Sequence, residues 1–219
     1  MTNNDLISTL ATRVESSDFK DFSIADCVIA LNEAKDVVIE SVHPSYLDGL
    51  ETIEMISLRG TGDYLLSESF TRGYRNDTFR VRYVKESNQV RVKNSDFIKM
   101  IPLDSMEGLN NSYFAEDEDN PVAYIFNNTL SIRPVLEDLV GSWTHLELFG
   151  YDVSEITAEM DGEDLSSSST VTIGLSGLIN GIVLDLAESN LWKADNRLDR
   201  SALAYSRGMD SIQRFNGAV

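Results

Sequence analysis

The sequence has few of the residues on which most catalytic and metal sites depend. Its 219 residues include one cysteine, Cys27, and two histidines, His43 and His145. A single cysteine excludes a disulfide within the chain, and neither histidine has a partner at HxxxH or HExxH spacing. The GxSxG, Walker and GxGxxG patterns are also missing. We therefore expect no catalytic residues, no cofactor and no metal site, and we predict that the protein is not an enzyme.

Basic residues are half as common as acidic ones. Eighteen Lys and Arg face thirty-six Asp and Glu, which gives a formal net charge of −18. Such a chain has no general electrostatic attraction for DNA or for an anionic membrane. The charge either serves solubility or forms a surface that repels a polyanion. No apolar run approaches the ~18 residues of a membrane span, and the start lacks the basic region of a signal peptide. We expect a soluble protein of the reducing cytosol.

The densest acidic run is AEDEDN, residues 115–120. Its carboxylates, Glu116 to Asp119, follow one another directly, whereas calcium loops space oxygen ligands at alternate positions around a glycine. An exposed loop is the favoured interpretation. An enzyme that uses a metal held by this run is the least favoured hypothesis.

Helical periodicity is confined to the two ends of the chain. Near the start, residues 4–14 and 23–42 carry apolar residues at helical spacing. Asn3 or Asn4 can cap the first of these helices, and Ser23 with Asp26 resembles a capping box for the second.

Two further helices are predicted at the other end, from about Ser166 to Asn190 and from Asp195 or Asp199 to Asn216. Apolar residues step by four and three along each of them. They are Val171, Leu175, Leu178, Ile182 and Leu186, followed by Leu198, Ala202, Tyr205, Met209 and Ile212.

The middle of the chain alternates with period two, which predicts strands. The alternating segments are residues 53–58, 79–84, 90–93, 123–126, 130–133 and 144–149. Helices at the ends and strands in the middle predict an α+β fold. In this fold residues 1–44 and 165–219 form a helical bundle, and residues 45–164 form an antiparallel β-rich insertion.

The last fifty residues contain the candidate interface residues. Gly174, Gly177 and Gly181 would align on one face of the first predicted C-terminal helix. Each costs a helix about 1 kcal/mol relative to alanine, so a close approach by another helix, from this chain or a neighbour, should offset them. Arg207, Arg214 and Phe215 lie on the last helix. Its arginines either pair with acids of the same chain or contact an acidic partner or subunit. The same two interpretations apply to the basic residues grouped in the β block, Arg72, Arg75, Arg80, Arg82 and Lys85.

Several short signatures occur in a familiar order. One pair is Phe22-Ser23-Ile24-Ala25-Asp26 with Ala30-Leu31-Asn32-Glu33-Ala34. Another is Asn120-Pro121-Val122-Ala123-Tyr124 with Asn127-Asn128-Thr129-Leu130-Ser131-Ile132-Arg133-Pro134. The last is Tyr205, Met209 and Ile212 on the final helix. In this order the chain resembles the head–tail adaptor (connector) proteins of tailed bacteriophages, which form the neck ring beneath the portal.

This resemblance implies a non-enzymatic virion protein, assembled in the host cytoplasm and located in the virion neck. It implies a homo-oligomeric ring of twelve subunits that binds the portal protein and a tail or nozzle protein. DNA would pass through the ring without sequence-specific binding, and no membrane would be involved. The alternative is another phage structural or binding module, such as a tail terminator or a capsid-associated protein.

Overall fold

Two units make up the chain. The computed structural model describes residues 1–58, 61–67, 70, 78–87, 90–93, 97–101, 121–133, 143–162 and 164–218. One unit combines Met1–Leu50 with Val153–Val219, and the other is Glu51–Asp152. The described helices lie in the first unit and the larger sheets in the second, which confirms the predicted α+β class.

The helical unit contains four α-helices. They are α1 (Asn3–Arg13), α2 (Ile24–Ser41), α3 (Gly177–Ala194) and α4 (Leu198–Asn216). Buried side chains from all four form one hydrophobic core, with Leu10, Leu31, Ile182 and Ile212 among its members.

Capping boxes set the starts of the first two helices. Ser23 and Asp26 cap α2 as the sequence predicts. The predicted cap of α1 was wrong, because Thr2 accepts the hydrogen bond from the Asp5 amide while Asn3 and Asn4 lie buried in the first turn. The Asn4 side chain is instead used for tertiary contacts. It donates to the carbonyls of Glu159 and Ser166 at 2.8 Å each.

The segment that follows the β unit packs with the helices. Asn32 accepts a hydrogen bond from the Ile156 amide at 2.9 Å and donates to the Ile156 carbonyl at 3.0 Å. The ammonium group of the buried Lys35 donates to the Ser154 carbonyl at 2.8 Å. The β unit is therefore shorter than the predicted insertion of residues 45–164.

Ten short strands are described. They are β1 (Glu51–Ser57), β2 (Asp63–Leu65), β3 (Arg80–Ser87), β4 (Val90–Lys93), β5 (Lys99–Met100), β6 (Val122–Phe126), β7 (Thr129–Arg133), β8 (His145–Tyr151), β9 (Met160–Asp161) and β10 (Asp164–Leu165). The first eight form two four-stranded sheets, in the orders β1-β8-β3-β4 and β2-β7-β6-β5.

Antiparallel pairing dominates the β unit, as predicted, and β5 with β6 is the one parallel pair among the described strands. Asn127 and Asn128 have φ values of 47° and 59° between β6 and β7. Such angles suit a two-residue hairpin turn, which the sequence predicts here. One cluster of buried side chains draws on both sheets, including Val81, Leu148 and Leu130.

Candidate assembly surfaces

The first C-terminal helix is shorter than predicted. It begins at Gly177, where Ser176 caps it, and not near Ser166. Val171 and Leu175 therefore precede the helix, and Leu178 is 70% exposed. The predicted apolar face was wrong in its first three members. Ile182 and Leu186 are buried as expected.

The three candidate glycines do not share one helical face. Gly174 precedes α3 and has a φ of 72°, a conformation that favours glycine. Its carbonyl oxygen would lie 2.6 Å from a Cβ on Gly49, so two backbone segments approach closely there. Gly177 and Gly181 do lie on α3, and a Cβ on either would meet nothing within 4 Å. Within the described chain, no close packing compensates for the helix stability that these two glycines cost. Their role in a subunit contact stays a prediction.

A close approach of helices occurs instead between α3 and α4. A Cβ on Gly208 would lie 2.6 Å from Leu186 Cδ2. The Ser189 hydroxyl donates to the Ser201 carbonyl at 2.9 Å. Glycine and serine thus face α3 where the sequence pattern had predicted large apolar residues.

The apolar stripe of α4 points away from this contact. Leu198 is 64% exposed and Tyr205 is 53% exposed, and Leu203, on the other side of the helix, is 64% exposed. Ile212 is the buried member of the predicted stripe, while Met209 is half-buried. The predicted periodicity is present in the helix, but most of the stripe lies on the surface.

Arg207 belongs to a network of four charges. It donates to Glu188 Oε2 at 2.7 Å and lies 3.8 Å from Asp185 Oδ1. Arg13 of α1 donates to the same Asp185 oxygen at 2.7 Å and lies 3.6 Å from Glu188. The network joins α1, α3 and α4, which is the intramolecular pairing that the sequence left as one of two interpretations.

Two other arginines of the last helical region also pair within the chain. Arg200 donates to Glu15 at 3.2 Å, and Arg197 lies 2.6 Å from Asp195. Both guanidinium groups lie over the Trp192 ring, at 4.8 and 4.9 Å from its centroid.

Arg214 and Phe215 lie near the end of α4. Within the described chain Arg214 is exposed and makes no ion pair. Phe215 packs edge-on against Tyr46, with ring centroids 5.0 Å apart. Arg214 is therefore free for a partner, whereas Phe215 already contributes to the helical unit.

A surface that the sequence indicated only through its arginines lies on the outer side of β3 and β8. We call it the arginine–aromatic face, and its residues are Ile53, Arg80, Arg82, Phe97 and Phe149. Cross-strand pairing places Ile53, Phe149 and Arg80 in one row across three strands. The Arg82 guanidinium lies 4.9 Å from the Phe149 ring centroid and 5.2 Å from that of Phe97.

Glu147 neutralises one of the two arginines on this face. Arg82 Nε donates to Glu147 Oε2 at 2.6 Å, and Glu147 is 1% exposed. Arg80 lies over the Phe97 ring at 5.5 Å, and no described carboxylate lies within ion-pair distance of it. The face thus presents one uncompensated positive charge among exposed apolar groups. The grouping of Arg80 and Arg82 in the sequence left a partner contact open, but it did not indicate the aromatic residues beside them.

The described residues carry little that suggests chemistry. They contain no group of three or more His, Cys, Asp or Glu side chains arranged to hold a metal ion. Cys27 is buried, and this burial raises the pKa of its thiol to about 11. The acidic run at residues 116–119 lies outside the described residues. None of the described helices is long and apolar enough to cross a membrane.

Comparison with known proteins does not assign the chain to a family. No family model matches it, and no curated protein matches its sequence. A function must therefore be inferred from the fold and its surfaces.

Proposed function

We propose that this protein is a non-enzymatic assembly protein that forms a homo-oligomeric ring, and that the ring is a head–tail adaptor in the neck of a tailed bacteriophage. The observation that carries the proposal is one helical unit built from both ends of the chain, with the β unit inserted between its second and third α-helices. This order of elements fits the organisation that the sequence resemblance implies.

Exposed apolar residues support an assembly role. Leu198, Leu203 and Tyr205 lie on one helix and are each more than half exposed. Leu198 and Tyr205 share one side of the helix, while Leu203 lies on the other. Large apolar side chains that lie together, as Leu198 and Tyr205 do, are typical of protein–protein contacts. The unpaired Arg214 lies on the same side of the helix as Leu203, eleven positions further along. This outer side of α4, with Leu203 and Arg214, is the proposed contact with the portal.

The charge of the chain suits a DNA channel. A ring whose lumen carries part of the −18 net charge offers DNA no counter-charge. DNA would then pass without binding to a particular sequence or being retained. A tail or nozzle protein would bind the opposite side of the ring from the portal.

Electron microscopy of virions labelled on this protein tests the location. The proposal expects the label at the neck, between head and tail. Label over the capsid surface would favour the alternative, a capsid-associated protein, and would overturn the adaptor assignment. Label at the distal end of an isolated tail would overturn it too.

A charge-reversal variant tests the contact on α4. Arg214→Glu should lower the affinity for portal, since an exposed interface charge is replaced by its opposite. Lys193→Glu is the matched control, because Lys193 is an exposed basic residue at the end of α3. Equal loss of affinity in both variants would contradict a specific contact at Arg214.

A further inference from the structure

The arginine–aromatic face has a complement on the same chain. We propose that the arginine–aromatic face of one copy binds the outer side of α2 on a second copy. The occupant of the face is therefore another subunit, and the contact joins two different surfaces. Such a contact leaves one free surface on each copy, so it can repeat around a ring.

The arginine–aromatic face has the composition of an interface centre. Ile53 is 55% exposed and Phe97 is 40% exposed. Aromatic residues and arginine are enriched at the energetic centres of protein contacts. Stacking on Phe97 limits the rotamers of Arg80, so less side-chain entropy is lost when its guanidinium binds a carboxylate.

The outer side of α2 carries the opposite charge. We call it the acidic α2 stripe, and its residues are Asp26, Ile29, Glu33, Asp36, Val37 and Glu40. Their spacing of three and four places them along one side of the helix. Ile29 is 58% exposed and Val37 is 42% exposed, so the stripe also contains apolar groups. Within the described chain, neither Glu33 nor Glu40 has a Lys or Arg at ion-pair distance.

The acidic α2 stripe is long enough to cover the arginine–aromatic face. From Ile29 to Glu40 the stripe is about 16 Å long at the rise of an α-helix. Three neighbouring strands span about 10 Å across, and Arg80 and Arg82 lie about 7 Å apart along β3. Asp36 and Glu40 lie about 6 Å apart on α2. The Arg80 guanidinium can therefore pair with one carboxylate of the stripe while Phe97 and Ile53 contact Ile29 or Val37.

Charge favours the acidic α2 stripe as the partner of the arginine–aromatic face. When an arginine binds a carboxylate through two hydrogen bonds, the contact is stronger and its orientation is fixed. Two copies would otherwise repel each other through their net charge of −18. The contact is thus expected to be weak in isolation. It deepens the proposed function, on which it rests for the closing of a ring, but the contact itself needs no portal.

Photocrosslinking between isotopically distinct copies tests the contact. The photoreactive residue benzoyl-phenylalanine replaces Phe97, which preserves an aromatic ring beside Arg80. Copies carrying this probe are mixed with ¹⁵N-labelled chain at high concentration and irradiated. Mass spectrometry should identify crosslinks to α2 peptides of the labelled copy. Crosslinks that stay within one copy, or that reach a different element of the second copy, would overturn the proposal.

Charge reversal on either surface should reduce the yield of this crosslink. Arg80→Glu, and separately Asp36→Arg with Glu40→Arg, should each lower it by about tenfold or more. Lys99→Glu is the control, since it makes the same charge change at an exposed residue of the other sheet. Leu65, which is 75% exposed, is the control position for the probe. An unchanged yield in Arg80→Glu would contradict the proposal.

These outcomes separate the contact from the adaptor role. Crosslinks to α2 without any binding to portal would support the contact and count against the proposed function. A ring that binds portal but gives no crosslinks from position 97 would support the proposed function and count against the contact.

Discussion

Gly208 and Gly181 both lie inside helices but have different surroundings. Gly208 of α4 faces Leu186, whose Cγ would lie 2.9 Å from a new Cβ. Gly181 of α3 has open space at the same position. Packing excludes a side chain at the first glycine, whereas nothing in the described subunit requires the second.

Alanine at these two positions should therefore have opposite effects. Gly181→Ala should raise the free energy of unfolding by about 1 kcal/mol through helix propensity. Gly208→Ala gains the same propensity but overpacks the α3–α4 contact at about 1–3 kcal/mol, so its net effect is a loss of up to about 2 kcal/mol. Urea denaturation followed by circular dichroism measures both. Equal stability of the two variants would show that the helices separate easily at Gly208.

Glu54 is one residue that gives the β unit a pH-dependent stability. Its Oε2 is buried without a hydrogen-bond partner, and burial, with the nearby charge of Asp152, raises the pKa of its carboxyl. A raised pKa means that the fold disfavours the charged carboxylate. The cost is absent below the unfolded pKa of Glu54 and appears as the pH rises through its folded pKa.

Glu54→Gln should accordingly raise the melting temperature at pH 7. We expect a rise of up to about 3 °C, kept small because the half-buried carboxyl is partly screened by solvent. The difference from the native chain should shrink as the pH falls through the raised folded pKa of Glu54 and vanish below the unfolded value of about 4.3. Glu51→Gln, at an exposed position of the same strand, serves as the control and should change little. A pH-independent effect of Glu54→Gln would contradict this account.

At the scale of elements, amide side chains attach the returning segment to the helices. Asn32 makes two hydrogen bonds to the backbone of Ile156, which is itself fully buried. Asn4 does the same for Glu159. Each amide pairs with the segment as a neighbouring strand would, so the backbone groups of Ile156 and Glu159 have hydrogen-bond partners without a sheet.

Removing one of these amides should destabilise the helical unit. Asn32→Ala leaves a buried amide and a carbonyl without partners, which costs about 1–3 kcal/mol. Asn190→Ala is the control, because Asn190 makes one exposed hydrogen bond to Glu33 at 3.2 Å. It should change the free energy of unfolding by less than about 0.5 kcal/mol. Chemical denaturation compares the two, and a similar small loss in both would show that the attachment does not depend on Asn32.

Local patterns predicted the elements whose determinants are local. Ser23 with Asp26 located the start of α2, and Asn127-Asn128 located a hairpin, because both signals act within four residues. The pairing of β5 with β6 and the shared core of the two sheets depend on residues far apart in the sequence. The period-two alternation within each segment could therefore not show them.

The errors at α3 and α4 have a common physical cause. The spacing of large apolar residues predicts a buried face only where packing depends on large side chains. The helix α4 instead packs on α3 through Ser201, Ala204 and Gly208, which bury little area but allow the helices to approach closely. At α3 the periodic Val171 and Leu175 extended the prediction past Ser176, the residue that caps the helix. Because the helix begins at Gly177, Gly174 lies outside it, and the predicted face of three glycines was wrong. The arginine–aromatic face was missed because its residues come from three separate strands and a loop.

At the scale of the whole molecule, the β unit leaves and rejoins the helical unit at neighbouring points. Glu51 and Tyr151 are paired across β1 and β8. Paired residues in an antiparallel ladder lie about 5 Å apart, so the ends of the inserted unit are close together. Insertions with close ends can be removed or exchanged without strain on the host fold.

The helical unit should therefore fold without the insertion. Replacing Glu51–Asp152 by a short Gly-Ser linker should leave a helical protein that melts cooperatively, followed by circular dichroism at 222 nm. Leu31→Asp in the same shortened chain is the control, since Leu31 is fully buried and a charge there should abolish the transition. An unfolded shortened chain would show that the helices depend on the β unit.

Native mass spectrometry of the full chain, with and without the portal protein of the same phage, tests the ring proposal most directly. We expect a monomer or a weakly associated species alone. With portal, we expect a closed ring of many copies bound to it, and a count of twelve would match the adaptor resemblance. A stable small dimer that ignores the portal would contradict the account.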